Sequence, residues 1–545
     1  MEHTRTPSEF VLCFDGTGNQ FHGDSSDSNV LKIFRMLDRN SSNQYHYYQP
    51  GIGTYVTSTS LSSKGRIQKL KSAYAKAKAA AVGSTFADHV MAGYKFLMRY
   101  YRPGDQLYFF GFSRGAYVAR FLAEMLDKVG LLEMGNEELI SFVWKLFAKW
   151  QQRAANHTKS EKREKKRLEQ HMEDFKDTFC HPVSQIRFLG LFDTVNSVPS
   201  FENAWMRRSS KFPYTARTTA KVIRHAVSID EHRAKFRQDL LSEVKPSRKR
   251  DRSGWRGRVK AHFTGEAGLD YHWEKGPGAS SRQSGKVSVS DDPPDDGGGV
   301  DTKQDIDEVW FPGCHADIGG GWEIKSGESS LSYIPLLWMV HNAQQAGLRL
   351  DPKTLAHFDC VTVDQAAKLQ SESTSEGPRD PNNSPAGQGK NPAGSGLEQS
   401  PVSCIQDALA TSSANGKIHD CLQFGNGPSW ASVVSWKVME YLPFRRMDLR
   451  DDGTWKPIRW PLPRGEVRDM PDDAKVHVSA IRRLHENPEY RPGNLIIGGG
   501  GRGKLKASKE QGTGDWVVAE HEGCPLQGTF VRRSRPRELN GNHGD

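Results

Sequence analysis

The residues most suited to chemistry are Gly111-Phe112-Ser113-Arg114-Gly115, a G-x-S-x-G pattern. Glycine and serine are common, so the pattern alone carries little weight, and its surroundings carry more. The apolar run Gln106–Phe110 (QLYFF) leads directly into it, and Ala116-Tyr117-Val118-Ala119 leads out as the start of a helix. A strand, a sharp turn and a helix are what this pattern needs to present a serine hydroxyl above a sheet. Flanking glycines let the backbone turn without Cβ clashes, and the small Ala116 and Ala119 let the helix pack close behind. The expected chemistry is nucleophilic attack by Ser113.

A serine hydroxyl attacks only when a base removes its proton and an acid orients that base. In strand–turn–helix hydrolases the order is serine, acid, histidine, each after a strand. Asp193 directly follows the apolar run Ile186–Phe192 (IRFLGLF), in the stretch Leu191-Phe192-Asp193-Thr194-Val195. His315 follows Glu308–Phe311 (EVWF), in a glycine-rich loop, Gly313-Cys314-His315-Ala316-Asp317-Ile318-Gly319-Gly320-Gly321. Position selects His315 among nineteen histidines; His225, His232 and His262 lie in a basic region without strand–loop punctuation. Asp317, two residues beyond the histidine, competes with Asp193 for the acid's role, its other role being to cap the glycine-rich turn.

Asp15-Gly16-Thr17-Gly18-Asn19 ends the first apolar run, Glu9–Phe14 (EFVLCF). A loop there can offer an amide N–H from Gly16 or Thr17 to a developing oxyanion, with the amide of Arg114 as the second donor. Asp15 then supports that loop. The same residues have a rival reading, since aspartyl-nucleophile phosphatases carry D-x-D-G-T after their first strand. Here Cys13 stands where the attacking aspartate would be, which removes that chemistry. No G-x-x-x-x-G-K-[ST] is present to cradle nucleotide phosphates.

These residues require a scaffold of alternating strands and helices. From Phe86, apolar residues recur at Val90, Tyr94, Leu97 and Tyr101, one face of a helix that Arg102-Pro103-Gly104-Asp105 stops. Strand, turn and helix in alternation predict an α/β fold with a mainly parallel sheet covered on both faces. Lys159–Glu169, with six basic and three acidic residues, reads as the solvated face of a helix that begins near Glu137. The expected layout is a catalytic domain over residues 8–350 with a low-complexity insertion at 276–305. A mostly disordered linker at 351–403 follows, then a segment at 404–495 packing on the core through its tryptophans, and a disordered tail at 496–545 that opens with GGGGRGK.

Composition sets the outer limits. Of 545 residues only 36% are hydrophobic, and the mean hydropathy is −0.67, so much of the chain is expected to lie outside any packed core. Seven cysteines without a C-x-x-C pair argue against a disulfide framework or a cysteine-rich zinc module. No metal or organic cofactor is needed by the chemistry above. The formal net charge of +10 permits an anionic partner without demanding one. Neither a signal peptide nor an 18-residue apolar run is visible, so the expected location is cytoplasmic or peripheral to a membrane.

Four stretches in fixed order, Leu12–Asn19 (LCFDGTGN), Gly111–Arg120 (GFSRGAYVAR), Gly190–Val198 (GLFDTVNSV) and Phe311–Trp322 (FPGCHADIGGGW), make a more specific signature than G-x-S-x-G. Together they resemble the catalytic domain of the type VI secretion phospholipase effectors. Fainter echoes are Ala226–Arg233 (AVSIDEHR) and Val476–Leu484 (VHVSAIRRL) followed by Tyr490–Leu495 (YRPGNL). The resemblance implies an α/β-hydrolase fold, a triad carried onto Ser113, Asp193 and His315, and hydrolysis of carboxylic esters, those of phospholipids in the bacterial effectors. The low-complexity insertions are departures from that pattern.

The leading functional expectation is therefore a lipase-like serine hydrolase acting through an acyl-enzyme, with a lipid or small ester as substrate and no nucleic acid as partner. Lys245–Lys260 packs eight Lys or Arg and one Asp around Trp255. It reads as a solvated insertion, and its chemistry also suits a peripheral anionic lipid surface. The alternative is a non-catalytic hydrolase scaffold that binds an anionic partner through this stretch.

Overall fold

The computed structural model describes residues 5–19, 21–51, 84–153, 159–195, 220–241, 304–324, 328–361, 401–442, 446–449, 455–458, 464–468, 470–471, 473–496 and 507–533. Among these, one nine-stranded sheet dominates. Its strands are β1 (Glu9–Phe14), β2 (Gln44–Gln49), β3 (Gln106–Phe112), β4 (Phe188–Phe192), β5 (Val222–Ser228), β6 (Asp305–Phe311), β7 (Lys475–His477), β8 (Trp516–Glu520) and β9 (Thr529–Arg532). The spatial order is β8-β9-β7-β6-β5-β4-β3-β1-β2. From β2 to β7 every pairing is parallel, and only β8 and β9 at one edge run antiparallel. The fold is a mixed α/β fold around a mostly parallel sheet.

Alternation along the strands divides the core in two. Phe10, Leu12 and Phe14 of β1, with Leu107 and Phe109 of β3, face one side. There they pack with Val90, Tyr94 and Leu97 from the helix Ser84–Tyr100, and with Leu122 and Met125 from the helix Arg114–Val129. Val11 and Cys13, with Tyr108, Phe110 and Phe112, face the other side and meet Val30 and Ile33 of Asn29–Met36 and Leu337 and Val340 of Tyr333–Gln345. Successive strand residues point to opposite faces, so these near-continuous apolar runs are what a sheet covered on both sides requires.

The central strands coincide with the apolar runs in the sequence, though β3 continues through Gly111 and Phe112 to the serine itself. Two strands, β2 at the sheet's edge and β5 in its middle, carry polar residues that hide their strand character. In β2 (QYHYYQ) the buried Gln44 donates to Glu9 Oε2 at 2.6 Å. In β5 (VIRHAVS), Arg224 pairs with Asp305 at 2.7 Å and His225 Nδ1 lies 2.8 Å from Glu308. Each polar side chain finds a partner on the neighbouring strand, which makes its place in a sheet affordable.

The C-terminal expectation needs correction. Residues 496–545 are not all tail, because Trp516–Glu520 and Thr529–Arg532 pair with each other and join the sheet through β7. Nor is 351–403 linker throughout: Pro352–His357 is helical with an Asp351 cap, and a further helix, Pro401–Asn415, opens inside the expected linker. The charged stretch Lys159–Glu169 lies in the helix Lys159–Phe179, and Ile140–Arg153 forms the helix before it. The basic stretch 245–260, residues 276–303 of the insertion, 362–400 and 534–545 lie outside the described residues. Among the described residues no helix is long and apolar enough to cross a membrane.

Chain order and spatial order part between β1 and β3, which places β2 on one side and β4 to β7 on the other. A crevice outside the carboxyl ends of parallel strands at such a switch point is where open α/β sheets bind ligands. The turn after β3 is built on contact distances that only glycine meets. A Cβ on Gly111 would lie 2.4 Å from Ala116 Cα, and one on Gly115 2.2 Å from the Phe14 carbonyl oxygen. Helix Arg114–Val129 therefore starts directly against the end of β1. Alanine usually stabilises a helical site relative to glycine, but Gly115→Ala should destabilise by about 1–3 kcal/mol through backbone displacement. A lowered thermal midpoint for Gly115→Ala checks this, and an unchanged or raised one refutes the close approach.

Candidate active site

Three strand ends converge on one point. Ser113 follows β3, with φ 60° and ψ −124°, a backbone region that costs a non-glycine residue roughly 1–3 kcal/mol. Its amide donates to the Phe192 carbonyl at 2.9 Å, fixing the turn to the end of β4. Asp193 is the next residue of that neighbouring strand end and also has positive φ, 41°. His315 opens the short helix His315–Gly319 after β6, beyond the turn Pro312-Gly313-Cys314.

His315 joins the other two. Its Nε2 lies 2.7 Å from Ser113 Oγ and its Nδ1 2.5 Å from Asp193 Oδ2. All three side chains are buried. The imidazole is held between the rings of Phe112 and Phe236, with centroids at 4.8 and 4.7 Å. With Asp193 accepting from Nδ1–H, Nε2 is left as the acceptor that faces the serine hydroxyl. Burial pushes the His315 pKa below its ordinary 6.5, against the opposing pull of Asp193. Burial would raise the Asp193 carboxyl, but the charge of Arg468 and the His315 hydrogen bond outweigh it, and the group stays well below the usual carboxylate range.

Asp317 lies elsewhere in the loop. Its Oδ2 accepts from the amides of Cys314 and His419, both at 2.9 Å, and its Oδ1 lies 2.6 Å from His419 Nδ1. Trp322 stacks on that His419 ring at 4.7 Å. Asp317 thus closes the loop that carries His315, while Asp193 is the carboxylate on the imidazole. The competing histidines are occupied too: His225 between Glu308 and the Thr194 amide, His232 against Asp420 at 2.9 Å. His262 lies outside the described residues.

Asp15 is buried beneath the first loop. Oδ1 accepts from the Gly16 amide at 2.6 Å and from Asn19 Nδ2 at 3.0 Å; Oδ2 accepts from Ser28 Oγ at 2.6 Å and Tyr48 hydroxyl at 2.7 Å. The Gly16 amide is therefore already committed to a carboxylate, which narrows the loop's oxyanion candidates to Thr17. Thr17 Oγ1 is buried and has no hydrogen-bond partner among the described residues. The close approach at Gly115 brings this loop against the helix that Arg114 begins.

Three further groups were not legible from motif spacing. Glu231 accepts the His315 amide at 3.2 Å and is clamped by Arg233 at 2.7 Å. Phe236 closes over the imidazole. Arg468 forms a bidentate pair with Asp193, at 2.5 and 2.9 Å. The stretch Ala226–Arg233 contained a hint of the first; nothing around Arg468 repeats a motif. The cysteines among the described residues are free thiols, and no group of three or more His, Cys, Asp or Glu there could hold a metal ion.

A family described as "T6SS, Phospholipase effector Tle1-like, catalytic domain" matches residues 8–342. The chain belongs to that family. Uncharacterized protein YEL023C of Saccharomyces cerevisiae is 28% identical over 583 residues, spanning 90% of this chain and 81% of that protein. Two solved structures are also similar. One is an uncharacterized protein from Pseudomonas aeruginosa, with 19% identity and TM-score 0.29, the match covering 75% of this chain and 53% of that one. The other is the Tle1 effector bound to the VgrG spike of the type VI secretion system, with 16% identity and TM-score 0.27, covering 59% and 52%. This chain thus spans about half the length of each of those structures. Arg468 lies beyond the Tle1-like domain as matched.

Asp15 is the support of the Tle1-like domain's first loop, and removing it would leave several buried donors unpaired. Asp15→Ala should cost about 3 kcal/mol, read as a lower denaturation midpoint, with Asp15→Asn closer to wild type because an amide keeps one acceptor in place. Equal midpoints for all three proteins would refute that role.

Proposed function

We propose that the chain is a serine hydrolase of carboxylic esters, phospholipids foremost, on an α/β-hydrolase scaffold. The observation that carries this reading is the continuous hydrogen-bonded line from Ser113 Oγ through His315 to Asp193, at 2.7 and 2.5 Å. Ser113 Oγ attacks the ester carbonyl carbon while His315 Nε2 takes its proton. The amides of Arg114 and Thr17 stabilise the oxyanion, each such donor being worth roughly 3–4 kcal/mol in comparable sites. The unpartnered Thr17 Oγ1 is compatible with an acceptor at that point. The tetrahedral species then expels the alcohol, which takes the proton from His315, and leaves the acyl group on Ser113. Water, deprotonated by His315, attacks that acyl-enzyme and releases the carboxylic acid and free Ser113. Asp193 orients the imidazole and stabilises the imidazolium throughout.

Family membership favours a lipid ester, and one surface feature supports contact with aggregated lipid. Helix Trp430–Glu440 turns Trp436 inward onto Phe236, the ring that covers His315. Its outer side exposes Trp430 (73%), Val434, Val438 and, just beyond, Tyr441 (62%) and Leu442. Lys437 and Arg464 border this apolar face, lying over the rings of Phe424 and Tyr441. Apolar side chains rimmed by cations suit the boundary of an anionic bilayer.

A fluorophosphonate should label the wild type at Ser113, and labelling should vanish in Ser113→Ala and His315→Ala. A folded wild type that resists labelling with and without vesicles would end the serine-hydrolase reading. Because only neutral His315 is a base, kcat/KM for a soluble ester should rise with pH and level off, with the midpoint of its acid limb below the 6.5 of an ordinary histidine. A midpoint above 6.5 contradicts the burial argument. The double variant Trp430→Ser, Val438→Ser should cut hydrolysis of anionic phospholipid vesicles about 100-fold, from roughly 1.5 kcal/mol for each of the two apolar side chains buried. Its turnover of a monomeric short-chain ester should match wild type; parallel losses on both substrates would refute the surface's role.

A further inference from the structure

Arg468 is almost wholly buried, and its five N–H groups are all placed. Nε and one Nη2 proton reach the Phe236 carbonyl; the remaining Nη2 proton reaches Asp193 Oδ2, and the Nη1 protons reach Asp193 Oδ1 and the Ser228 carbonyl. On the other side of the pair, Oδ1 also accepts the Ser228 amide at 2.9 Å and Oδ2 faces His315 Nδ1. A carboxylate offers about four lone-pair sites, and each is occupied, so the group cannot rotate. The short segment 464–468 that delivers the arginine is itself fastened. Glu440 accepts from the Gly465 and Ala234 amides at 2.9 and 2.8 Å, and Arg237 reaches the Val467 carbonyl at 3.1 Å and Glu466 at 3.2 Å.

Charge gives the pair a second consequence. Around the imidazole stand two carboxylates, Asp193 and Glu231, and two guanidinium groups, Arg468 and Arg233. The four charges therefore balance while His315 is neutral, and its protonation leaves this group with one net positive charge. Two further groups belong to the same neighbourhood. Asp317 lies on the histidine's own helix with His419 against it, and Asp230, raised to about 6 by burial, accepts the Gly313 amide beside Tyr490.

We propose that Arg468 is a positioning residue for the reaction, a fork supplied from beyond the family's catalytic domain that locks the Asp193 carboxylate and balances its charge. The site is then complete only when the segment 464–468 is seated on the loop after β5. A guanidinium is suited to this, since two parallel N–H bonds fix a carboxylate's plane where a single ammonium fixes only a distance.

The inference rests on the serine-hydrolase reading, and the experiment separates the two. Fluorophosphonate labelling rates of full-length wild type, Arg468→Lys, Arg468→Met and Asp230→Asn are measured across pH, with melting curves in parallel. Arg468→Met, which leaves net negative charge around the imidazole, should move the acid limb up by about one pH unit and slow labelling about 100-fold through loss of alignment. Arg468→Lys keeps the charge and loses the fork, so its limb should stay near wild type while labelling slows about 10-fold. Labelling at wild-type rate with an unchanged limb in either variant overturns the proposal. So does a loss that merely tracks the folded fraction, or a limb that moves with Asp230→Asn and not with Arg468→Met. If Arg468→Met does not fold, the rate and limb of Arg468→Lys decide. If the wild type does not label at all, the hydrolase reading fails by itself. The low-field proton signal on His315 Nδ1 then tests the fork directly: it should shift or vanish in Arg468→Lys and Arg468→Met, and an unshifted signal overturns the proposal.

Discussion

Asp193 is a carboxylate with no solvent around it, and much of the molecule is arranged to make that tolerable. An ionised carboxylate in a low-dielectric interior costs several kcal/mol unless paired and fully hydrogen-bonded. Here the compensation comes from three other places in the chain. The residue sits at the end of β4, the Ser228 amide comes from the end of β5, His315 from the loop after β6, and Arg468 from the C-terminal segment. Removing any one leaves a charge or a donor stranded, so the strand ends around it are bound to a common arrangement. Positive φ at both Ser113 and Asp193 belongs to the same economy of space, since each turns the chain sharply where its strand ends.

The surrounding sheet explains why these groups can meet. Parallel strands all present their carboxyl ends to one edge, so residues that follow β3, β4 and β6 arrive there from positions 113, 193 and 315. Glycine then sets the final distances. Gly111 and Gly115 let a helix start against β1, which brings the Asp15–Asn19 loop beside the serine turn. Asp15 in turn uses four donors to hold that loop, so the candidate oxyanion donors and the serine share one foundation.

The C-terminal part of the chain is integrated with the family's catalytic domain. β7 adds to the parallel sheet beside β6, β8 and β9 close that edge in antiparallel fashion, and Trp436 reaches the ring that covers His315. These two strands also leave β7 without an open side. The arrangement of Asp193 and His315 and the closure of the sheet thus depend on residues well beyond position 342.

The sequence by itself determined the central strands, the helix from Phe86 and the turn around Ser113, because apolar runs and glycine spacing are local signals that the backbone must obey. It also pointed to His315, a short turn beyond a readable strand, and to Asp193, directly after one, with Asp317 left as a competitor. β2 and β5 escaped because their polar residues are satisfied by neighbouring strands, and a partner on another strand leaves no mark on local periodicity. β8 and β9 escaped for a similar reason: a composition rich in glycine and charge conceals short strands that acquire their apolar contacts only at the sheet's edge. The binding of Asp317 to His419 and the fork of Arg468 on Asp193 were decided by tertiary structure alone. Those partners lie 102 and 275 residues apart, and what joins them is the burial of a charge, which acts through space and not along the chain.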